Sequence, residues 1–85
     1  MNNWYLYIAR CSDNSLYTGI TKDIARRIDE HNNGKEASAY TRAHRPVALV
    51  YQESYKTRSD ATKREIEVKK LSKEEKELMV ARIGK

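Results

Sequence analysis

The stretch from Trp4 to Ile20, WYLYIARCSDNSLYTGI, decides the fold. Trp4 to Cys11 is aromatic, β-branched and apolar, and Leu16 to Ile20 resumes that strand pattern. Between them, Ser12-Asp13-Asn14-Ser15 carries short polar side chains that hydrogen-bond a reversing backbone, so the three pieces read as a β-hairpin. Side chains alternate across a strand. Tyr5, Tyr7 and Ala9 therefore share one face, Leu6 and Ile8 the other, and Tyr17 shares its face with Gly19. Whether the tyrosines of both strands look the same way depends on register, since a one-residue slip turns the second strand over, and both registers stay open at this stage.

Downstream, the period changes. Thr21 is placed as an N-cap, Asp23 favours the positive end of a helix dipole, and a helix runs to about His31 before Asn32-Asn33-Gly34 ends it. Ile24 and Ile28 form its apolar stripe, with Arg27 and His31 at the same spacing on an adjacent stripe. Lys35 to Pro46 has no clean period and reads as an irregular segment near the same basic surface, carrying Tyr40, Thr41, Arg42, His44 and Arg45. Val47 to Tyr55 is a third strand, and Val47-Ala48-Leu49-Val50 is apolar enough for a central or well-covered position. Thr57 or Ser59 then starts a helix to about Lys70. Ser72 with Glu75 makes a capping box that opens a last helix before Leu78, Met79 and Ala81.

Composition bounds what such a chain can do. At 85 residues it is one domain, spanning 1–85, too small for a large internal cavity. Seventeen Lys and Arg against twelve Asp and Glu give a formal charge of +5, which points to a polyanionic partner. The single cysteine, Cys11, sits in an apolar run and reads as a buried strand residue; without a disulfide framework or thiolate cluster the chain suits a reducing cytosol. No apolar run is long enough to span a bilayer, and Met1-Asn2-Asn3-Trp4 has neither a basic nor a long apolar character, so the expectation is a soluble cytoplasmic protein with no membrane partner.

Glu65 departs from the pattern. It lies four residues after Ala61 and three before Val68, in line with the stripe that faces the sheet, where an unpaired carboxylate is costly. Helical spacing alone favours an ordinary pairing with Lys69 at i+4.

Tyr5-Leu6-Tyr7, Tyr17-Thr18-Gly19, Arg27, His31 and Glu65, in this order, resemble the GIY-YIG nuclease superfamily over nearly the whole chain, and in particular its small stand-alone bacterial members. Tyr5 stands where the name-giving glycine would be, Leu6 where the isoleucine would be, and Thr18 replaces the middle isoleucine of the second motif. The resemblance implies an α+β fold, a three-stranded antiparallel sheet flanked by helices in the order β-β-α-β-α-α. It also implies that Tyr7, Tyr17, Arg27 and His31 are catalytic, that Glu65 binds the metal, and that the protein is a Mg²⁺- or Mn²⁺-dependent endonuclease acting on DNA, structure-specific and tied to repair or recombination.

The side chains suit that chemistry. Phosphodiester hydrolysis needs an activated water, neutralisation of the non-bridging oxygens and stabilisation of the departing alkoxide. One carboxylate is enough to anchor Mg²⁺, which keeps waters and substrate oxygens as its other ligands, so metal binding should be weak without DNA. Arg27 offers a planar fork that matches two phosphate oxygens. A free phenol titrates near pH 10, so Tyr7 either orients the water or is helped to take its proton, with Tyr17 on the scissile phosphate and His31 relaying a proton or holding a hydroxyl. Arg26, Lys35, Tyr40, Arg42, His44 and Arg45 are candidate nucleic-acid contacts, Tyr40 by stacking on an unpaired base. The expected partner is nucleic acid, DNA rather than RNA, bound by a monomer, alone or within a larger repair assembly. Two other readings keep the fold without the reaction: a non-catalytic nucleic-acid-binding module, and a protein-interaction domain that uses the apolar face of the last helix.

Overall fold

Strand β1 (Trp4–Arg10) is apolar on both faces, and the computed structural model, which describes residues 3–34 and 39–83, places it in the middle of the sheet. β2 (Leu16–Thr21) and β3 (Ala48–Tyr55) flank it, both antiparallel, in the order β2-β1-β3. Leu6, Tyr7, Ile8 and Ala9 are all buried, as a strand covered on both sides requires. Among the described residues four helices follow: α1 (Ile24–Asn33), α2 (Ala39–Ala43), α3 (Arg58–Lys69) and α4 (Lys73–Ile83). The α+β order expected from the sequence holds, with α2 added inside the segment read as irregular. A single turn of helix is too short to show a period.

The hairpin turn closes through Cys11 N–H to the Ser15 carbonyl at 2.8 Å and Asn14 N–H to the Cys11 carbonyl at 2.9 Å. Asn14 takes φ 72°, a left-handed conformation that a short amide side chain tolerates. Cys11 is buried just past the strand, and burial pushes its thiol pKa up, which fits a packing residue.

Each face of the sheet has its own core. Tyr7, Ala9, Cys11 and Val47 pack with Tyr17 and with Ile24 and Ile28 of α1. On the other face Leu6 and Ile8 meet Val68 of α3, with Leu71, Met79 and Val80 closing over them. β3 corrects one expectation. The apolar run before Tyr51 marks an edge strand, with Ala48 and Leu49 exposed, because a bulge sets Tyr51 opposite Ile8 but Leu49 opposite Ala9 and leaves Val50 between them.

Caps fix the helix starts. Asp23, not Thr21, is the N-cap of α1: its carboxylate accepts from Arg26 N–H at 3.1 Å, while the Thr21 hydroxyl accepts from Asp23 N–H at 3.2 Å. Thr57 caps α3 through Asp60 N–H, which resolves the choice against Ser59. The box at α4 is reciprocal, with Ser72 N–H to Glu75 at 2.8 Å and Glu75 N–H to Ser72 at 3.1 Å. Among the described residues no helix is long and apolar enough to cross a membrane.

Candidate active site

The hairpin register, open from sequence, pairs Tyr5 with Thr21, Tyr7 with Gly19 and Ala9 with Tyr17. Directly opposed residues project to the same face, so both tyrosines look toward α1, their ring centroids 6.3 Å apart. Gly19 lies under the Tyr7 ring, where a Cβ would come within 2.7 Å of the Tyr7 hydroxyl oxygen. The adjacent stripe of α1 then meets this face. His31 is fully buried, with Nε2 2.6 Å from the Tyr7 hydroxyl and Nδ1 2.8 Å from Thr41 Oγ1. The Tyr17 ring meets the imidazole edge-on at 5.2 Å. Arg27 hydrogen-bonds both the Tyr7 hydroxyl and, at 2.9 Å, the Glu30 carboxylate.

The electrostatics follow from this packing. Burial, reinforced by Tyr17, raises the Tyr7 pKa to about 12 against the opposing effect of Arg27, so its phenol keeps its proton at neutral pH. Burial first, and then the Arg27 charge, lower the His31 pKa below its usual 6.5, so the imidazole is neutral there. With the proton on Nδ1, donated to Thr41, Nε2 accepts from the Tyr7 hydroxyl, and one tautomer satisfies both bonds.

Glu65 arrives from α3. Its side chain is 20% exposed and pairs with Lys69 at 3.3 Å, while its charge is felt at Tyr7, where it pushes the phenol pKa up. The ordinary i+4 pairing is thus present, and the carboxylate acts on Tyr7 through its charge. A carboxylate held by one exchangeable lysine, within electrostatic reach of a phenol, fits the donor set of a hard divalent cation that keeps most of its waters. Among the described residues no three His, Cys, Asp or Glu side chains gather into a closed metal cage.

The other candidates are spread more widely. Tyr40 stacks on Tyr17 at 6.2 Å and on His44 at 4.3 Å, so an incoming base would have to join or displace an existing stack. His44 also lies 3.3 Å from Asp13. Arg26 is exposed and paired with Glu30 at 3.2 Å, one residue from Arg27. Arg42 is exposed on α2. Arg45 turns back to the end of α1, donating to the carbonyls of His31 and, at 2.6 Å, Gly34, and so holds the helix terminus beside His31. Lys35 lies outside the described residues. Sequence reasoning had not assigned Thr41 or Glu30 to the site. Glu30 is readable at i+3 from Arg27, whereas nothing in the local pattern around Thr41 announces a buried hydroxyl.

Residues 3–78 match the GIY-YIG catalytic domain. The chain is 52% identical over 77 residues to a UPF0213 protein of Desulfotalea psychrophila, covering 91% of this chain and 70% of that one. It is 54% identical over 76 residues to a UPF0213 protein of Staphylococcus saprophyticus, covering 89% and 92%. Two solution NMR structures share the fold. A UPF0213 protein from Bacillus halodurans superposes with TM-score 0.59 at 44% identity, over 93% of this chain and 83% of that one. A protein from E. faecalis superposes with TM-score 0.66 at 36% identity, over 99% and 88%. With Tyr17, Arg27 and His31 gathered around Tyr7, and with this match over most of its length, the chain belongs to the GIY-YIG catalytic domain family, a family of nucleases.

Proposed function

We propose that the protein is a divalent-metal-dependent endonuclease that hydrolyses phosphodiester bonds in DNA, on branched or flap structures of the kind met in repair and recombination. The observation that carries this reading is the Tyr7 hydroxyl, bonded to a neutral buried imidazole and to a guanidinium within reach of a carboxylate's charge. Tyr7, with a pKa near 12, does not act as a free phenolate. It takes the proton of the attacking water as its own proton passes to His31 Nε2, so no charge is left on the phenol. Thr41 holds the imidazole in the accepting tautomer, and Arg27 places its fork against the non-bridging oxygens of the scissile phosphate. Tyr17 hydrogen-bonds the same phosphate. Glu65 would hold the divalent cation, which would supply charge neutralisation at the phosphate and stabilisation of the departing alkoxide.

Cleavage of supercoiled plasmid and of labelled flap and branched duplexes, with Mg²⁺ or Mn²⁺ and with EDTA, tests this directly. Metal-dependent nicking is expected. Salt-sensitive binding with no cleavage of any substrate under either metal would instead favour the binding-module reading.

A pH profile tests the relay. The imidazole must be neutral to accept, so kcat is expected to fall as pH drops through the lowered His31 pKa, below 6.5, and this acid limb should vanish in His31→Gln and Tyr7→Phe along with most of the rate. Stability should follow the same sign. A base with a depressed folded pKa binds fewer protons folded than unfolded, so its contribution is complete above about 6.5 and is lost as pH falls toward the folded value. An acid limb that survives in His31→Gln would assign it to another group.

A further inference from the structure

A hollow of about 320 Å³ is lined by Leu16, Tyr17 and Thr18 of β2, Tyr40 of α2, Lys69 of α3 and Lys76 of α4. Consecutive strand residues point to opposite faces, so a hollow touched by residues 16, 17 and 18 together lies across the edge of β2. β2 has β1 on one side only, and alternate peptide groups on its other side face away from the sheet. Two lysines approach that edge. Lys69 is held by Glu65 at 3.3 Å, and among the described residues no carboxylate lies within ion-pair distance of Lys76. Thr18 adds a buried hydroxyl that finds no hydrogen-bond partner among the described residues. Two comparable hollows lack this character: one sets Lys22 beside Asp23, and the other, along Leu49 to Gln52, has no cation. Tyr17 also belongs to the cluster around Tyr7, so the hollow adjoins the proposed point of cleavage.

We infer that this hollow is a second phosphate subsite, in which Lys69 and Lys76 grip a non-scissile phosphodiester of the strand being cut, next to the one held at Tyr7, Tyr17 and Arg27. It rests on the nuclease reading for its place along the strand, but its binding is measurable without cleavage. A lysine is a compact point charge, suited to an anionic oxygen presented at variable angles. The consequence is selectivity for a strand that continues past the scissile bond over one that ends there, which is what separates an endonuclease from an enzyme that trims termini.

The test uses a fluorescein-labelled flap DNA and the full chain, with anisotropy read over a range of KCl in metal-free buffer. Lys76→Ala is expected to weaken binding about tenfold, from the loss of one charge-assisted contact, and to flatten the slope of log affinity against log salt by roughly 0.7 to 0.9. Lys76→Arg should restore the slope. Neutral methylphosphonates placed singly along the strand should reveal one position that costs the wild type about tenfold and costs Lys76→Ala nothing further. An unchanged slope in Lys76→Ala, or a methylphosphonate penalty undiminished in that variant at every position, overturns the subsite. Kinetics separate the two ideas. A protein that shows this pattern but never cuts keeps the subsite and loses the nuclease reading, while one that cuts with the same KM in Lys76→Ala as in wild type keeps the nuclease and loses the subsite.

Discussion

Alanine at Arg27 or at Glu65 is expected to remove cleavage while leaving DNA binding largely intact. Arg27 bonds the Tyr7 hydroxyl and, on the proposed mechanism, holds the scissile phosphate, where a donor aimed at developing charge contributes roughly 10²- to 10³-fold in kcat. Lysine at 27 should not rescue it, because a point charge cannot reproduce the planar fork that spans Glu30, Tyr7 and a phosphate. Glu65 is the carboxylate assigned to the cation. Losing several kcal/mol of charge stabilisation there corresponds to a rate loss on the order of 10³-fold, and Glu65→Gln should fail equally because an amide carries no charge to hold the metal.

Binding discriminates this from a merely structural effect. Glu65→Ala deletes a negative charge and releases Lys69 from its 3.3 Å pair, so affinity for a polyanion should hold or rise. A structural glutamate would behave differently: its loss would lower thermal stability and binding together. The pair's lysine is more than half exposed and its contact long at 3.3 Å, so breaking it is worth about 1 kcal/mol or less. Cleavage within threefold of wild type in Glu65→Ala, measured in single turnover with circular dichroism as a check on folding, would end the assignment.

How far this site could be read from sequence depends on which interactions are local. The α1 stripes, the capping box at Ser72 and the Glu65–Lys69 pair are set by spacing within one helix, and all three appear as spacing dictates. The register of β1 against β2 is not local, because the polar turn admits either face, and only the burial of Tyr7 against Ile24 and Ile28 selects one. Thr41 was out of reach for a different reason. Its place behind His31 depends on where the segment after α1 folds back, and Arg45 and the Asn32 to Val47 contacts that fix this, at 2.7 and 3.0 Å, join residues far apart in sequence. The edge position of β3 failed for lack of a distinguishing feature. Apolar content in Val47 to Val50 does not separate an edge from a central strand: Val47 is buried and Val50 packs against the second core, while Ala48 and Leu49 are exposed beside the bulge.

Gly19→Ala is expected to cost nearly as much activity as losing Tyr7, although Gly19 touches no substrate. Its φ is not positive, so the backbone itself would accept alanine. The conflict is with the ring above it: the new methyl would stand 2.7 Å from the Tyr7 oxygen, 2.8 Å from Cζ and 3.0 Å from Cε1. Tyr7 is not a flexible surface side chain that could swing clear, being 1% exposed and packed by Tyr17, His31 and α1. Restoring ordinary contact needs a displacement of roughly 0.7 Å, from 2.7 to 3.4 Å, which stretches the 2.6 Å bond to His31 to as much as about 3.3 Å, past the usual range for a hydroxyl donor, and weakens it. Overpacking of this kind costs about 1 to 3 kcal/mol of stability, and loss of the proton path about 10²- to 10⁴-fold in kcat. The double variant Gly19→Ala, Tyr7→Phe decides whether the glycine acts through the tyrosine. Phenylalanine has already given up the hydroxyl, so adding alanine at 19 should cost little further rate even though it still lowers the melting temperature. Rate losses that multiply in the double variant would place the role of Gly19 somewhere other than under Tyr7.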